Sequence, residues 1–171
     1  MKTITLEWLN RAEDDLLAAK LLLAQPELTN MVAFHAQQAV EKTLKAALEE
    51  LEIAALKTHS LTRLYSLLIP NISISVDQDM LDRLEAVYIQ SRYPGEMGLL
   101  PHGKPTQEEA QEFLRFAQQL YNRFLRNILK KNIDNDSQTR NDLASPSKSF
   151  YPLDPKNPDC NRERNCRPQH H

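Results

Sequence analysis

The sequence predicts an all-α protein, an antiparallel bundle of about five helices followed by a disordered C-terminal tail. All three glycines of the 171-residue chain lie between positions 95 and 103, whereas a β-rich protein needs glycines in turns throughout its length. Apolar residues recur at spacings of three and four over long stretches, which is the period of an amphipathic helix. The three longest stretches would each span roughly 30 Å at 1.5 Å per residue, a length typical of bundle helices.

The first helix is expected from about Thr5 to Ala24, where Pro26 closes the segment. A second helix is expected from Asn30, a favourable N-cap, to about Leu51. Each carries one apolar stripe, and the stripe of the second helix is rich in small residues. The two stripes comprise Leu9, Ala12, Leu16, Ala19 and Leu23, then Ala33, Ala36, Val40, Leu44, Ala47 and Leu51.

Two shorter helices follow. Leu61, Leu64, Tyr65 and Leu68 mark a third helix that ends at Pro70, and Asp77 precedes a fourth. The fourth helix should turn four residues inward, Leu81, Leu84, Val87 and Tyr88. Positions 92–105 hold three prolines and every glycine, so they are expected to form an irregular loop.

A fifth helix should start at Thr106, since Thr106 and Glu109 have the spacing of a capping box. Its buried positions are expected to be Ala110, Phe113, Ala117, Leu120, Phe124 and Ile128. After about Asn132 the periodicity stops, and the last forty residues contain five of the ten prolines. Such a segment buries too little apolar surface to offset its ordering entropy. We therefore predict a folded domain over 1–131 and a disordered polar tail over 132–171.

Composition narrows the classes of function. A net charge of −2 gives no global signature of a nucleic-acid coat protein, so any RNA contact has to come from a local basic patch. No apolar run is long enough to span a bilayer, and charges near the N-terminus argue against a signal peptide, so a cytoplasmic location is expected. The two cysteines, Cys160 and Cys166, lie in the predicted tail and form neither a disulfide scaffold nor a zinc pattern.

Four segments resemble a known family. The second-helix segment from Phe34 to Lys45 resembles the signature helix of HEPN domains, whose name stands for higher eukaryote and prokaryote nucleotide-binding. The other three segments are Trp8 with Ala12, Asp15 and Leu16; Thr58 to Leu61; and Ser91 to Pro94. All four occur in the family's order, and together they cover about residues 1–130.

The resemblance implies a helical bundle that commonly forms homodimers and serves nucleotide or RNA chemistry. Many bacterial and archaeal HEPN proteins are encoded beside a small nucleotidyltransferase, and such pairs often behave as toxin–antitoxin modules. Active members are endoribonucleases that need no metal or other cofactor. They use an Arg followed four to six residues later by a His, brought together with its copy across the dimer.

This chain departs from that ribonuclease motif. With four to six residues between Arg92 and the His, the motif would need His at one of the positions held by Met97, Gly98 and Leu99. The next histidine is His102, which lies further on past two glycines. The resemblance therefore leaves enzymatic activity open.

The candidate site residues follow from chemistry. Arg92 has a planar guanidinium suited to phosphate, and its alternative role is a salt bridge that fixes the loop to the bundle. His59 is the best available base, with an ordinary pKa near 6.5, and its alternative role is to cap the third helix. His102 is the second candidate base, and Tyr93 is a candidate ligand contact beside Arg92.

Lys42, Lys45 and Gln38 share one side of the second helix and could form a strip for nucleotide phosphates. The alternative is an ordinary solvated face with Glu41 and Glu49 nearby. The resemblance, with the ribonuclease spacing absent, favours a binding and regulatory module that pairs with a nucleotidyltransferase and presents a nucleotide or RNA site around Arg92. It leaves open an endoribonuclease toxin that uses Arg92 with His59 or His102, and an interaction domain without ligand chemistry.

Overall fold

The computed structural model describes residues 1–54, 57–92 and 104–144; the side chains of 89–92 and 131–144 are not part of that description. Within these residues every regular element is a helix, which confirms the predicted all-α class. There are five α-helices and two short 3₁₀ turns, Pro26–Leu28 and Ile69–Asn71. The helices are α1 (Thr3–Leu22), α2 (Thr29–Glu50), α3 (Leu61–Leu68), α4 (Gln78–Arg92) and α5 (Gln107–Ala144).

The α2 helix lies at the centre, since it contacts each of the other four α-helices. With α1 it forms an antiparallel hairpin, in which the start of α1 meets the end of α2. There the backbone N–H of Lys2 donates to Glu50 at 3.0 Å, and the Lys2 ammonium donates to the carbonyl of Glu49 at 2.9 Å. The hairpin therefore sets the surface against which the remaining helices pack.

Small side chains let the helices approach α2 closely. Ala33, Ala36, Ala39 and Ala46 are completely buried within the single chain. The small-residue face of α2 is thus filled by the chain's own helices.

Local chemistry accounts for the third and fourth helices. The hydroxyl of Tyr65 in α3 donates to the carbonyl of Ile74 at 2.8 Å and accepts from the N–H of Val76 at 3.2 Å, which ties the segment before α4 to the core. Asp77, which precedes α4 as expected, accepts from the N–H of Met80 at 3.3 Å and so caps the helix.

The second helix begins differently from the prediction. Asn30 is not its N-cap, because the helix already starts at Thr29, directly after the 3₁₀ turn. Pro26 at the start of that turn has the fixed φ that turns and helix starts accept, and it leads the chain into α2 without a side-chain cap.

The start of α5 agrees with the sequence, whereas its end does not. The N–H of Thr106 donates to Glu109 at 2.9 Å and the N–H of Glu109 donates to the Thr106 hydroxyl at 3.2 Å, which confirms the capping box. The helix then continues to Ala144, beyond the expected end near Asn132. No Pro or Gly interrupts residues 132–144, so the backbone helix persists there although the apolar stripe has ended. Residues 145–171, with both cysteines, lie outside the described residues.

No helix in the described part of the chain is long and apolar enough to cross a membrane.

Candidate functional site

A polar cluster lies on one side of α2, where that helix meets α1, the start of α3 and α4. Three of its members are buried although they are polar: Asp15, Gln37 and Glu41. Buried charges are costly unless they are paired, so their partners define what the cluster can do.

Glu41 is the centre of the first group. Its side chain is 5% exposed, and its carboxylate accepts from the Lys45 ammonium at 2.7 Å and from the Gln37 amide at 3.3 Å. The third partner is Nδ1 of His59, at 3.1 Å. An ionised carboxylate can only accept hydrogen bonds, so Nδ1 of His59 carries the proton in this contact.

His59 joins this buried group to solvent. Its side chain is 65% exposed, and no described residue bonds to its Nε2 atom. With Nδ1–H held by Glu41, Nε2 is the ring nitrogen left as the hydrogen-bond acceptor. The alternative prediction, that His59 caps α3, is wrong. Ser60 is the N-cap of α3, and its side chain accepts from the N–H of Arg63.

Asp15 of α1 is the centre of the second group. It accepts from Nδ1 of His35 at 2.9 Å and from the ammonium of Lys42. This group repeats the chemistry of the first, a buried carboxylate that holds one histidine and one lysine, and it fastens α1 to α2.

The polar side chains of Lys42, Lys45 and Gln38, which were expected to form a phosphate-binding strip on α2, are each bonded to another side chain of the cluster. Lys42 and Lys45 are 21% and 16% exposed, and each is bonded to a carboxylate of the cluster. The Lys45 ammonium also lies 5.4 Å from the centre of the Trp8 ring, a cation–π distance. Gln38 donates to the side-chain oxygen of Gln37 at 2.8 Å.

Aromatic rings continue the cluster toward α4. Tyr88 stacks on Phe34 with ring centres 5.9 Å apart and planes inclined by 17°. The imidazole of His59 lies 6.1 Å from the Tyr88 ring, and His35 meets Phe34 edge to face at 5.3 Å. Tyr88, expected to face the core, is instead half-buried at the surface of the cluster.

A cavity of about 170 Å³ opens beside these rings, lined by His59, Ser60, Glu85 and Tyr88. Glu85 is fixed by α3: one of its carboxylate oxygens accepts from the N–H of Thr62 at 3.3 Å and the other from the Thr62 hydroxyl at 3.1 Å. The cavity therefore combines an imidazole, a phenol ring and an oriented carboxylate.

The remaining predicted site residues lie along and beyond the end of α4. Arg92 is the last residue of that helix, four positions and about one turn after Tyr88. Its side chain, Tyr93 and His102 lie outside the described residues. The structure thus brings His59 next to the helix that ends at Arg92, although the two are 33 positions apart in the sequence.

Sequence reasoning missed the two carboxylates that organise the site. Glu41 was considered only as part of a solvated face, and Glu85 was not considered. One signal was available for Glu41, since Gln37, Glu41 and Lys45 follow one another at spacings of four, which places them side by side on a helix. No group of three His, Cys, Asp or Glu side chains in the described residues is arranged to hold a metal ion.

Comparisons with known proteins agree with this architecture. The family model of the HEPN domain matches residues 5–128. The chain is similar to the solved structure of the Thermus thermophilus protein TT1696, with a TM-score of 0.56 and 25% identity over 74% of this chain and 99% of the other. It shares the fold of the archaeal HEPN homologue ST0689, with a TM-score of 0.53 and 22% identity over 75% of this chain and 99% of the other.

It also shares the fold of a Thermotoga maritima HEPN domain protein, with a TM-score of 0.53 and 23% identity over 72% of this chain and 98% of the other. No curated protein matches the chain.

Proposed function

The chain belongs to the HEPN domain family, and from this premise we propose that it is a nucleotide- or RNA-binding regulatory module whose site is the cavity beside His59. The ligand class follows from the family resemblance together with the chemistry of the cavity. An exposed imidazole, an aromatic ring and a nearby arginine position together suit a phosphate that carries a base.

The contact between His59 and Glu41 carries this proposal. A histidine with a merely structural role is normally satisfied at both nitrogens or simply solvated. Here one nitrogen is held by a carboxylate that is 5% exposed, while the ring itself is 65% exposed. Holding Nδ1 fixes the ring orientation and directs the other nitrogen outward, as carboxylates behind catalytic and ligand-binding histidines do.

In this proposal Arg92 supplies the cation for phosphate. Its position at the end of α4, one turn beyond Tyr88, puts it on the helix that forms one wall of the cavity. A guanidinium can bind phosphate through two parallel hydrogen bonds, which an ammonium cannot do. Tyr93, the next residue in the sequence, is the second candidate contact beside Arg92. Lys45 and Gln38 contribute indirectly, since Lys45 is bonded to Glu41, which holds His59, and Gln38 is bonded to Gln37. Lys42 is bonded instead to Asp15, which holds His35.

The test compares His59→Ala, Arg92→Ala and Arg92→Lys with the parent chain, and Arg126→Ala serves as a control because Arg126 is exposed on α5, outside the cavity lining. Binding of a fluorescent RNA oligomer and of ATP is measured beside the melting temperature. We expect weaker binding in the three site variants, with the melting temperature nearly unchanged. If Arg92→Ala leaves binding unchanged but lowers the melting temperature, Arg92 has a structural role and does not bind the ligand.

A metal-independent endoribonuclease is the second candidate, favoured by the contact of Nδ1 of His59 with Glu41, which leaves Nε2 as the acceptor nitrogen of the ring. Such cleavage needs a base for the 2′-hydroxyl and a cation for the developing phosphate charge, roles that His59 and Arg92 would fill; His102 is the other candidate base. Incubation with RNA in excess chelator tests this activity. Cleavage that persists in His59→Ala would exclude His59 as the base, and absence of cleavage by the intact chain would leave the binding function alone.

If neither RNA nor nucleotide binds, the chain is a helical interaction domain without ligand chemistry.

The regulatory part of the proposal is pairing with a small nucleotidyltransferase, in a system of the toxin–antitoxin kind. It derives from the family resemblance. Co-expression with the product of the adjacent reading frame, followed by co-purification and a growth assay with and without that product, tests it. A neighbour that is not a nucleotidyltransferase, or one that does not bind, counts against pairing.

We also propose that the chain forms a homodimer through α1. The small residues of α2 are occupied inside the chain, so the contact requires another apolar surface. Leu17 and Leu21, one turn apart on α1, are the most exposed large apolar side chains of the described residues, at 56% and 67%. Exposed leucines at this spacing are typical of a helix that packs on a partner.

A further inference from the structure

The segment that leads into α4 is extended, and one of its edges is bonded to α3. Ile72 has φ −136° and ψ 144°, and its N–H donates to the carbonyl of Leu68 at 3.1 Å. The Tyr65 hydroxyl donates to the carbonyl of Ile74 at 2.8 Å and accepts from the N–H of Val76 at 3.2 Å. The segment's backbone groups in these bonds belong to positions 72, 74 and 76. Alternate residues of the segment therefore turn their backbone toward α3.

The opposite edge of the segment has no partner in the described part of the chain. In an extended chain the N–H and C=O groups of successive residues point to opposite edges, so those of Ser73 and Ser75 point away from α3. None of these four groups is hydrogen-bonded to a described residue, and both serines are exposed. Ile74 and Val76, by contrast, are buried, as the alternation of side chains in an extended chain requires. We call the backbone of Ser73 and Ser75 the free edge.

A cavity of about 250 Å³ lies beside the free edge, and Ser73 itself lines it. The other lining residues come from the end of α2, from the extended segment and from α5. Most of them are apolar, namely Ala47, Leu51, Ile72, Ile74, Phe124 and Ile128. Glu50, Asn71 and Asn127 add polar groups to the lining. The cavity is large enough for one leucine or phenylalanine side chain, and it shares no lining residue with the cavity beside His59.

We propose that the free edge and this second cavity together bind an extended peptide of a partner protein. A peptide backbone offers N–H and C=O groups at the two-residue spacing of Ser73 and Ser75, so it can add a strand beside them. Its side chains alternate between the two faces of that strand, and an apolar one on the face toward the bundle can enter the cavity. The ligand class is therefore a segment with apolar residues at alternate positions. This site is independent of nucleotide or RNA binding beside His59.

The chain itself supplies a poorer occupant. In a second copy, Ile74 and Val76 are buried in that copy's own core, so its extended segment presents serines rather than apolar side chains. Such a pairing would leave the apolar cavity unfilled. Residues 145–171 contain five prolines, which lack the N–H that an added strand donates. The edge and the cavity thus both favour a separate protein.

Amide hydrogen exchange and peptide titration of the full chain test the proposal. The probes are three capped peptides, each a seven-residue alternation of threonine and valine between two lysines, with phenylalanine, leucine or alanine in place of the central valine. The first two should bind roughly tenfold or more tightly than the third, because a large side chain fills the cavity. Binding should slow the exchange of the Ser73 and Ser75 amides.

Three outcomes of these measurements would overturn the proposal. The first is that none of the peptides binds, and the second is that all three bind equally. The third is that the amides of Ser73 and Ser75 are already protected in the chain without peptide. Such protection would show that the protein itself pairs with the free edge.

Ser73→Pro and Ser73→Ala separate backbone pairing from side-chain contact. Proline removes the N–H at a position where Ile72, the residue before it, already has the extended conformation that proline requires. That N–H makes no hydrogen bond within the described residues, so the melting temperature should change little. Ser73→Pro should weaken binding of the phenylalanine peptide by roughly fivefold or more, and Ser73→Ala, which keeps the N–H, by much less.

Equal losses in the two variants would show that no strand is added beside the segment. The exchange measurement on the parent chain needs no variant, so it decides the proposal even if Ser73→Pro does not fold.

Discussion

Nδ1 of His59 lies 3.1 Å from a carboxylate oxygen of Glu41, although the first side chain is 65% exposed and the second 5%. This difference in exposure predicts that replacing Glu41 lowers the free energy of unfolding more than replacing His59 does. Glu41→Gln leaves the half-buried Lys45 ammonium without its carboxylate and should lower the free energy of unfolding by about 1–3 kcal/mol. His59→Gln should cost less than about 1 kcal/mol, because the ring is largely solvated. Urea unfolding of both variants measures the difference. Equal costs would show that the ring is structural.

The pair of Asp15 with Lys42 should behave as a buried ion pair. Asp15→Asn should destabilise the fold by about 2–4 kcal/mol, since it strands a partly buried ammonium. The double variant Asp15→Asn with Lys42→Met should recover part of this loss, because it removes the stranded charge. Asp14→Asn, at the exposed neighbouring position, is the matched control and should change stability little. Additive single effects in the double variant would contradict the pairing.

The C-terminal part of the chain should be dispensable for folding. Ile128 is the last buried residue of α5 among the described side chains. A chain that ends at Lys131 should therefore keep its helical circular dichroism and a cooperative melt within a few degrees of the parent. A chain that ends at Arg123 loses the buried Phe124 and Ile128 and should melt far lower. A large loss on truncation at Lys131 would show that later residues pack on the bundle.

The exposed leucines of α1 predict the dimer contact. The parent chain should sediment at micromolar concentration with about twice the chain mass of 19.7 kDa. Leu17→Glu with Leu21→Glu should yield monomers, because charges on both sides would be buried unpaired. Ile69→Glu is the control, since Ile69 is also exposed but lies after α3. A parent chain that stays monomeric would end the proposal of a homodimer.

Burial, and after it the negative charge of Glu13, raises the pKa of Tyr121 above its ordinary value near 10. The folded state therefore holds the phenol proton more tightly than the unfolded state. The stability that this adds is fully present below the unfolded pKa and is lost as the pH rises through the folded pKa. The parent chain should lose more unfolding free energy above pH 10 than Tyr121→Phe does. Parallel pH profiles for the two would contradict this.

Much of the fold could be predicted because its determinants are local. The Thr106–Glu109 capping box and the stripe of α3 are each set by residues within one or two turns, and the structure has both. The end of α5 was predicted too early because an apolar periodicity reveals only those helical residues that have a buried face. Residues 132–144 continue the helix without an apolar stripe.

The site was predicted only in part, for a different reason. His59 could be singled out by its residue type, whereas its partner depends on packing that brings α2 beside the start of α3. Glu41 has the same sequence signature as a solvated glutamate. Only the approach of His59 and Lys45 to one carboxylate distinguishes it.

The alanines of α2 also govern how freely this protein can vary. Ala36 and Ala39 have no exposed surface, so any larger side chain there must push a neighbouring helix outward. Ala36 and Ala39 lie on α2, which also carries Glu41 and Phe34. A shift between α2 and its neighbour would therefore alter the cavity beside His59, although neither alanine lines it. In a random variant library, many substitutions that abolish function should therefore fall on these alanines, although they contact no ligand. Among natural relatives, these small residues should vary less than the charged residues on the surface around them.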